Sequence, residues 1–168
     1  EKRPSAMPEN LRRRLMAYSA EHNLTELVSI IMPAYNREET IPAAIASVLA
    51  QTYPHFELIV VDDGSSDGTE EVVKNIDDER VRLIAGPGRS GVSEARNIGL
   101  RAAKGNLIAY LDSDNTWQPE YLTAMVAALH QTPHAQAAYS GQYLYRGKHP
   151  EPFAIRFASF NKGLLENR

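Results

Sequence analysis

The sequence predicts an α/β protein built on a mostly parallel sheet with helices on both faces. From Leu27 onward, short apolar runs alternate with amphipathic helical stretches, and each junction is marked by Gly, Pro, Asp or Asn. The runs are almost continuously apolar, as strands covered on both faces are. They occupy residues 27–32, 56–61, 81–85 and 106–111, with a weaker run over 135–145.

Each element has a local reason. Residues 1–26 read as a helical leader, because Leu11, Leu15 and Tyr18 fall at i, i+4 and i+7 with Arg12, Arg13 and Arg14 among them. A solvated helix leading into the domain is expected, with a membrane-surface or partner-docking arm as the alternative. After the first strand, Ile41, Ile45, Val48 and Leu49 form one helical stripe. Thr40 starts that helix, and Pro42 sits in its first turn, where a missing N–H leaves no bond unmade. A short helix over 70–76 follows the second strand, with Asp67 or Ser66 as its cap. The last clear helix presents Leu122, Met125, Val126 and Leu129, and is expected to begin near Thr116 with Pro119 in its first turn. These stripes are core. The sheet domain is taken to run over residues 27–168.

Composition limits what such a domain does. The 168 residues include 18 basic and 21 acidic side chains, a formal net charge of −3, 43% apolar residues and no cysteine. A disulfide framework, a thiolate metal site and a cysteine nucleophile are excluded. The near-neutral balance argues against nucleic acid as a partner, since that binding rests on clustered Lys and Arg. No apolar run approaches the roughly 20 residues that span a bilayer. The chain starts at Glu1 without a signal-peptide pattern and stops at Arg168 without terminal punctuation, so it reads as a segment of something longer.

In an open parallel sheet the ligand crevice lies outside the carboxyl ends of the strands. The loops there are Pro33 to Glu39, Asp62 to Thr69 and Asp112 to Asn115, and five acids, Asp62, Asp63, Asp67, Asp112 and Asp114, are expected to converge. Asp112 and Asp114 are two apart, which in a strand places both on one side with Cα atoms roughly 6.5 to 7 Å apart. Two unit charges about 6 Å apart repel by roughly 3 kcal/mol at an effective dielectric near 20, and an arriving diphosphate adds repulsion of the same sign. A hard cation, Mg²⁺ or Mn²⁺, removes that conflict with oxygen ligands alone. On spacing alone, capping of the following helix is an equal reading for this pair.

Two motifs mislead. Asp63-x-Ser65-x-Asp67-Gly68 imitates a calcium loop but has Lys74 where a bidentate Glu is needed. Gly86-Pro87-Gly88-Arg89-Ser90-Gly91 matches the dinucleotide fingerprint, yet it follows the third strand, carries a stiff Pro87 and leaves the acidic loops unexplained. A nicotinamide- or flavin-dependent oxidoreductase is therefore a distant reading. His130 and His134 stand at i, i+4 with Pro133 between them, which disfavours the continuous helix a zinc pair needs. Tyr139, Tyr143 and Tyr145 alternate as in a half-buried edge strand, with a sugar or acceptor groove as the alternative.

Five blocks, in this order and spacing, resemble glycosyltransferase family 2. They are Val28 to Asn36, Ile45 to Thr52, Phe56 to Asp67, Gly91 to Gly99 and Asp112-Ser113-Asp114, and they cover about residues 27–129. The resemblance implies a GT-A fold, a nucleotide-sugar donor and an inverting, hexosyltransferase-like transfer to a glycan or other hydroxyl acceptor with Mn²⁺ or Mg²⁺. It places Pro33, Ala34 and Tyr35 along the nucleobase, with Tyr35 packing on its face, and Asp63 as the acid that grips the base. A carboxylate only accepts hydrogen bonds, so it pairs with the imide N–H of uracil or with guanine N1–H and not with cytosine N3, which favours UDP. Asp112, Ser113 and Asp114 match the DxD element, with Asp114 a direct metal ligand and Asp112 toward the ribose or the metal. Asn115 replaces a further Asp common in the family.

Gly91 and Arg96 match the segment beside the nucleotide, where glycine permits close approach and Arg96 meets phosphate. A structural pairing of Arg96 with Asp63 or Asp112 is an equal reading. In this family the base for the acceptor hydroxyl is an acid well beyond the DxD. Glu120, Glu151 and Glu166 are the acids that follow Asp114 here, and the two that lie well beyond it, Glu151 and Glu166, sit in no matching motif. The base is therefore expected beyond Arg168, in an acceptor-binding half, and a non-catalytic donor-binding or docking module is the alternative. Donors of this kind imply a cytoplasmic location, with membrane association left to regions outside the segment.

Overall fold

The computed structural model describes residues 9–140, 142–144 and 154–156. Its elements follow the order α1 (Glu9–His22), β1 (Val28–Ala34), α2 (Ile41–Leu49), β2 (Phe56–Asp62), α3 (Thr69–Lys74), β3 (Val81–Ala85), α4 (Val92–Ala102), β4 (Leu107–Tyr110), α5 (Tyr121–Gln131), β5 (Gln142–Leu144) and β6 (Ala154–Arg156). Four strands form one parallel sheet in the order β3-β2-β1-β4. Val28 pairs with Phe56 on one side and with Leu107 on the other. The chain thus winds outward from β1 through β2 to β3, then returns to β1's other side. The strand order reverses between β1 and β4, the place where open α/β sheets bind ligands.

The two faces of the sheet are unequal. Ile30, Met32, Leu58 and Val60 lie in the large core cluster with α2, α3, α5 and Leu15 of α1. The alternate residues Ile59 and Val61 pack with Ala95 and Ile98 of α4. That helix comes so close that a Cβ at Gly99 would stand 2.4 Å from Ile31 Cγ2. Among the described residues α4 alone covers this face, and Ile108 and Tyr110 of β4 are 37% and 47% exposed.

Several elements depart from the sequence reading. α5 begins at Tyr121 rather than near Thr116, and Pro119 precedes it. The reason is Gln51, whose amide N–H donates to Gln118 O at 2.8 Å while its Oε1 accepts Leu122 N–H at 2.9 Å. A side chain at the end of α2 thereby supplies the start that no local cap provides. In α1, Leu15 is buried and Tyr18 hydrogen-bonds His130 Nδ1 of α5 at 2.9 Å, but Leu11 is left exposed.

The weak run over 135–145 contains only the three-residue β5, paired antiparallel with β6 in a separate sheet. Its first half, rich in alanine, has low strand propensity, and Tyr139 is exposed. Tyr145, Glu151 and Glu166, and the side chain of Tyr143, lie outside the described residues. Among the described residues no helix is long and apolar enough to cross a membrane.

Candidate functional site

The loop after β1 is zipped to the loop after β2. Asn36, at φ +51°, accepts Ser66 N–H on Oδ1 at 2.8 Å. Arg37 N–H donates to Thr69 Oγ1 at 2.7 Å, and Glu38 N–H to Asp67 Oδ2 at 3.1 Å. Asp67 also receives Thr69 N–H at 3.0 Å and so steadies the approach to α3, but the cap position is Gly68, not the expected Asp67 or Ser66. Asp62 accepts both the N–H and the hydroxyl of Ser65 and is turned into its own loop. The expected convergence of five acids is therefore corrected to three. Asp62 and Asp67 close turns, because nearby N–H groups that the turns leave orphaned are better partners for them than solvent.

A cavity of about 580 Å³ opens at the carboxyl ends of the strands. All nine residues read from the family pattern line it: Pro33, Ala34, Tyr35, Asp63, Gly91, Arg96, Asp112, Ser113 and Asp114. Asp63 is buried, 5% exposed. Its Oδ1 accepts Ser90 N–H at 2.9 Å and Ser90 Oγ–H at 2.7 Å, and its Oδ2 accepts Gly91 N–H at 2.7 Å. Burial works to raise this carboxyl, but the Ser90 and Gly91 donors outweigh it and hold it below the ordinary aspartate value. An ionised carboxylate offers about four acceptor sites. Three are filled by donors among the described residues, which leaves one on Oδ2 without a partner there.

Gly91 precedes α4 at φ +89°, with nothing near the place of its missing Cβ. Its backbone conformation, and not a close approach to protein, is what requires glycine there. The glycines of the false dinucleotide fingerprint serve the loops themselves. Gly64 and Gly88 both take positive φ, and a Cβ on Gly64 would stand 2.8 Å from Gly88 Cα.

Asp112 and Asp114 are each met by an arginine. Arg96 donates to Asp112 at 2.7 Å, and Arg37 reaches Asp114 at 3.5 Å; the two carboxylates are 49% and 48% exposed. Asp112 and Asp114 lie past the end of β4, in a turn closed by Asn115 N–H to Asp112 O, and not in the strand the spacing argument took; their repulsion is balanced by the two arginines, and Arg96 takes the structural pairing left open by the sequence. Yet its Nε is buried without an acceptor among the described residues. Tyr35 does not present a bare ring, since Arg89 Cζ lies 5.6 Å over it. Arg37 and Arg89 were missed as site residues. The available signal was charge: three cavity acids in a nearly neutral chain need cations from the same loops.

Among the described residues no cluster of three or more His, Asp or Glu is placed to hold a metal by itself. Asp112 and Asp114 still fit a hard divalent ion that keeps waters and takes one or two carboxylates beside substrate phosphate oxygens.

The model of the family described as "Glycosyl transferase family 2" matches residues 29–166. The chain belongs to glycosyl transferase family 2. It is 47% identical over 103 residues to the Escherichia coli UDP-Glc:alpha-D-GlcNAc-diphosphoundecaprenol beta-1,3-glucosyltransferase WfgD, a match covering 61% of this chain and 41% of that protein. Against the E. coli enzyme WfaP, of the same printed activity, identity is 40% over 119 residues, covering 71% and 47%. The chain thus spans less than half the length of these curated relatives. Among solved structures, S. aureus TarS 1-349 in complex with UDP superposes with a TM-score of 0.59 at 30% identity, covering 62% of this chain and 32% of that one. The mannosyltransferase PcManGT from Pyrobaculum calidifontis, in complex with GDP-Man and Mn²⁺, gives 0.60 at 25%, covering 71% and 44%. These GT-A neighbours share the family 2 fold described above.

Proposed function

We propose that this family 2 chain forms the donor-binding part of an inverting, metal-dependent glycosyltransferase that moves a sugar from a nucleoside diphosphate, UDP above others, to an acceptor hydroxyl. The observation that carries the reading is Asp63, fixed by three donors with one acceptor site open in a cavity that also holds Asp112 and Asp114. An acceptor there suits the imide N–H of uracil and rejects cytosine, whose N3 is itself an acceptor. The complex of TarS with UDP supports uridine, while PcManGT with GDP-Man shows that guanine, which also offers an N–H, is used in this fold.

In this reading Tyr35 packs on the base, and Pro33 and Ala34 line it. Gly91, Ser113 and Arg96 border the nucleotide, with Arg96 Nε donating to one of its oxygens. Asp114, with Asp112, would hold Mn²⁺ or Mg²⁺, which supplies Lewis-acid stabilisation of charge developing on the leaving diphosphate.

Calorimetry in the presence of Mn²⁺ tests the base preference. UDP is expected to bind about 10- to 100-fold more tightly than CDP, the penalty for facing a buried carboxylate with an acceptor. Equal affinity for the two nucleotides would contradict the role of Asp63.

A further inference from the structure

Asp112 and Asp114 are equally exposed but unequally held. Arg96 bonds Asp112 at 2.7 Å, whereas the Arg37 guanidinium stands 3.5 Å from Asp114 and is itself 42% exposed. The main chain of Arg37 is pinned by its N–H bond to Thr69, so only its side chain has freedom. Among the described residues Nη1 touches one further acceptor, Asn36 O at 3.2 Å. Among the described residues the cavity sets three aspartates, Asp63, Asp112 and Asp114, against three arginines, Arg37, Arg89 and Arg96. A divalent cation arriving alone at Asp114 meets a positive charge already there. A diphosphate arriving with it offers the guanidinium a better partner, since the planar fork matches phosphate oxygens.

We propose that Arg37 holds the place of the cation at Asp114 in the nucleotide-free protein and transfers to the donor diphosphate when metal and nucleotide enter. The inference rests on the metal-dependent reading above. Arg37 then opposes metal alone and favours metal with nucleotide, which couples the two binding events.

Electron paramagnetic resonance titration of the whole chain with Mn²⁺, without nucleotide, reads the first half of this exchange. Arg37→Gln is expected to bind Mn²⁺ about two- to fivefold more tightly than the unaltered chain, the scale of an exposed ion pair removed. Arg37→Lys, which keeps the charge, is expected to stay close to the unaltered chain. At saturating Mn²⁺, Arg37→Gln is expected to bind UDP more weakly by at least the same factor. A merely structural Arg37 would weaken both ligands together in Arg37→Gln, and that result, or unchanged Mn²⁺ affinity, overturns the exchange. Asp114→Asn is expected to abolish the bound Mn²⁺ signal with either residue at 37. Mn²⁺ binding indifferent to Asp114→Asn would instead overturn the metal reading itself, and the exchange with it.

Discussion

Asp63 shows how one side chain joins fold to function. Its three accepted hydrogen bonds come from Ser90 and Gly91, at the entrance to α4, so the same carboxylate that leaves one acceptor site open also fixes where that helix begins. Replacing it with asparagine removes the charge and turns one oxygen into a donor facing donors. Asp63→Asn is expected to destabilise the chain by about 1–3 kcal/mol, read from urea unfolding, and to narrow the preference for UDP over CDP. The sequence singled out Asp63 through the family pattern and as one of the acids at the strand ends. Its structural task, anchoring a helix 28 residues away, is non-local and leaves no trace in spacing. Arg37 and Arg89 were hidden for the same reason, because a loop cation declares its partner only when two loops are brought together.

At the scale of elements, α4 is set on the sheet by an absence. Gly99→Ala drives a Cβ into Ile31, a fully buried side chain of β1, and is expected to cost about 1–3 kcal/mol by overpacking. Combining Gly99→Ala with Ile31→Ala is expected to destabilise by less than the sum of the two single changes; strict additivity in urea unfolding would show that the contact is not the cause. Strand positions were legible because apolar runs are continuous, and β3 lies over residues 81–85 as read.

Strand ends were less legible. β1 continues through Pro33 to Ala34, whereas proline normally ends a central strand. It is tolerated because Ile31 is paired with Tyr110, the last residue of β4, and takes Leu111 N–H on that side, so Pro33's missing N–H faces a ladder that has already ended. The start of α5 was misplaced because its organiser, Gln51, lies just past α2, far away in the sequence.

For the whole molecule, the alternation of strands and helices was enough to predict the parallel sheet, and the strand-end rule was enough to predict which loops form the cavity. Which acids turn inward was not legible, since Asp62 and Asp63 are neighbours with opposite fates. Acid should loosen the assembled domain. Asp63 and Asp78 titrate below the ordinary aspartate value, Asp78 at about 2 because Arg80 bonds both its oxygens. Groups depressed by folding stabilise fully above their unfolded value of about 4, and that stabilisation is lost as pH falls through the folded values. Urea midpoints are therefore expected to hold between pH 7 and 5 and to fall between about 4 and 2, with Asp78→Asn flattening part of the decline.

In the proposed function this cavity takes a nucleoside diphosphate through a metal held by Asp114. Calorimetric titration of the chain with UDP, with and without Mn²⁺ and before and after Asp114→Ala, tests it most directly. The account predicts binding that Mn²⁺ strengthens at least tenfold, and loss of that gain in Asp114→Ala. UDP that fails to bind, or a gain from Mn²⁺ undiminished in Asp114→Ala, would contradict it.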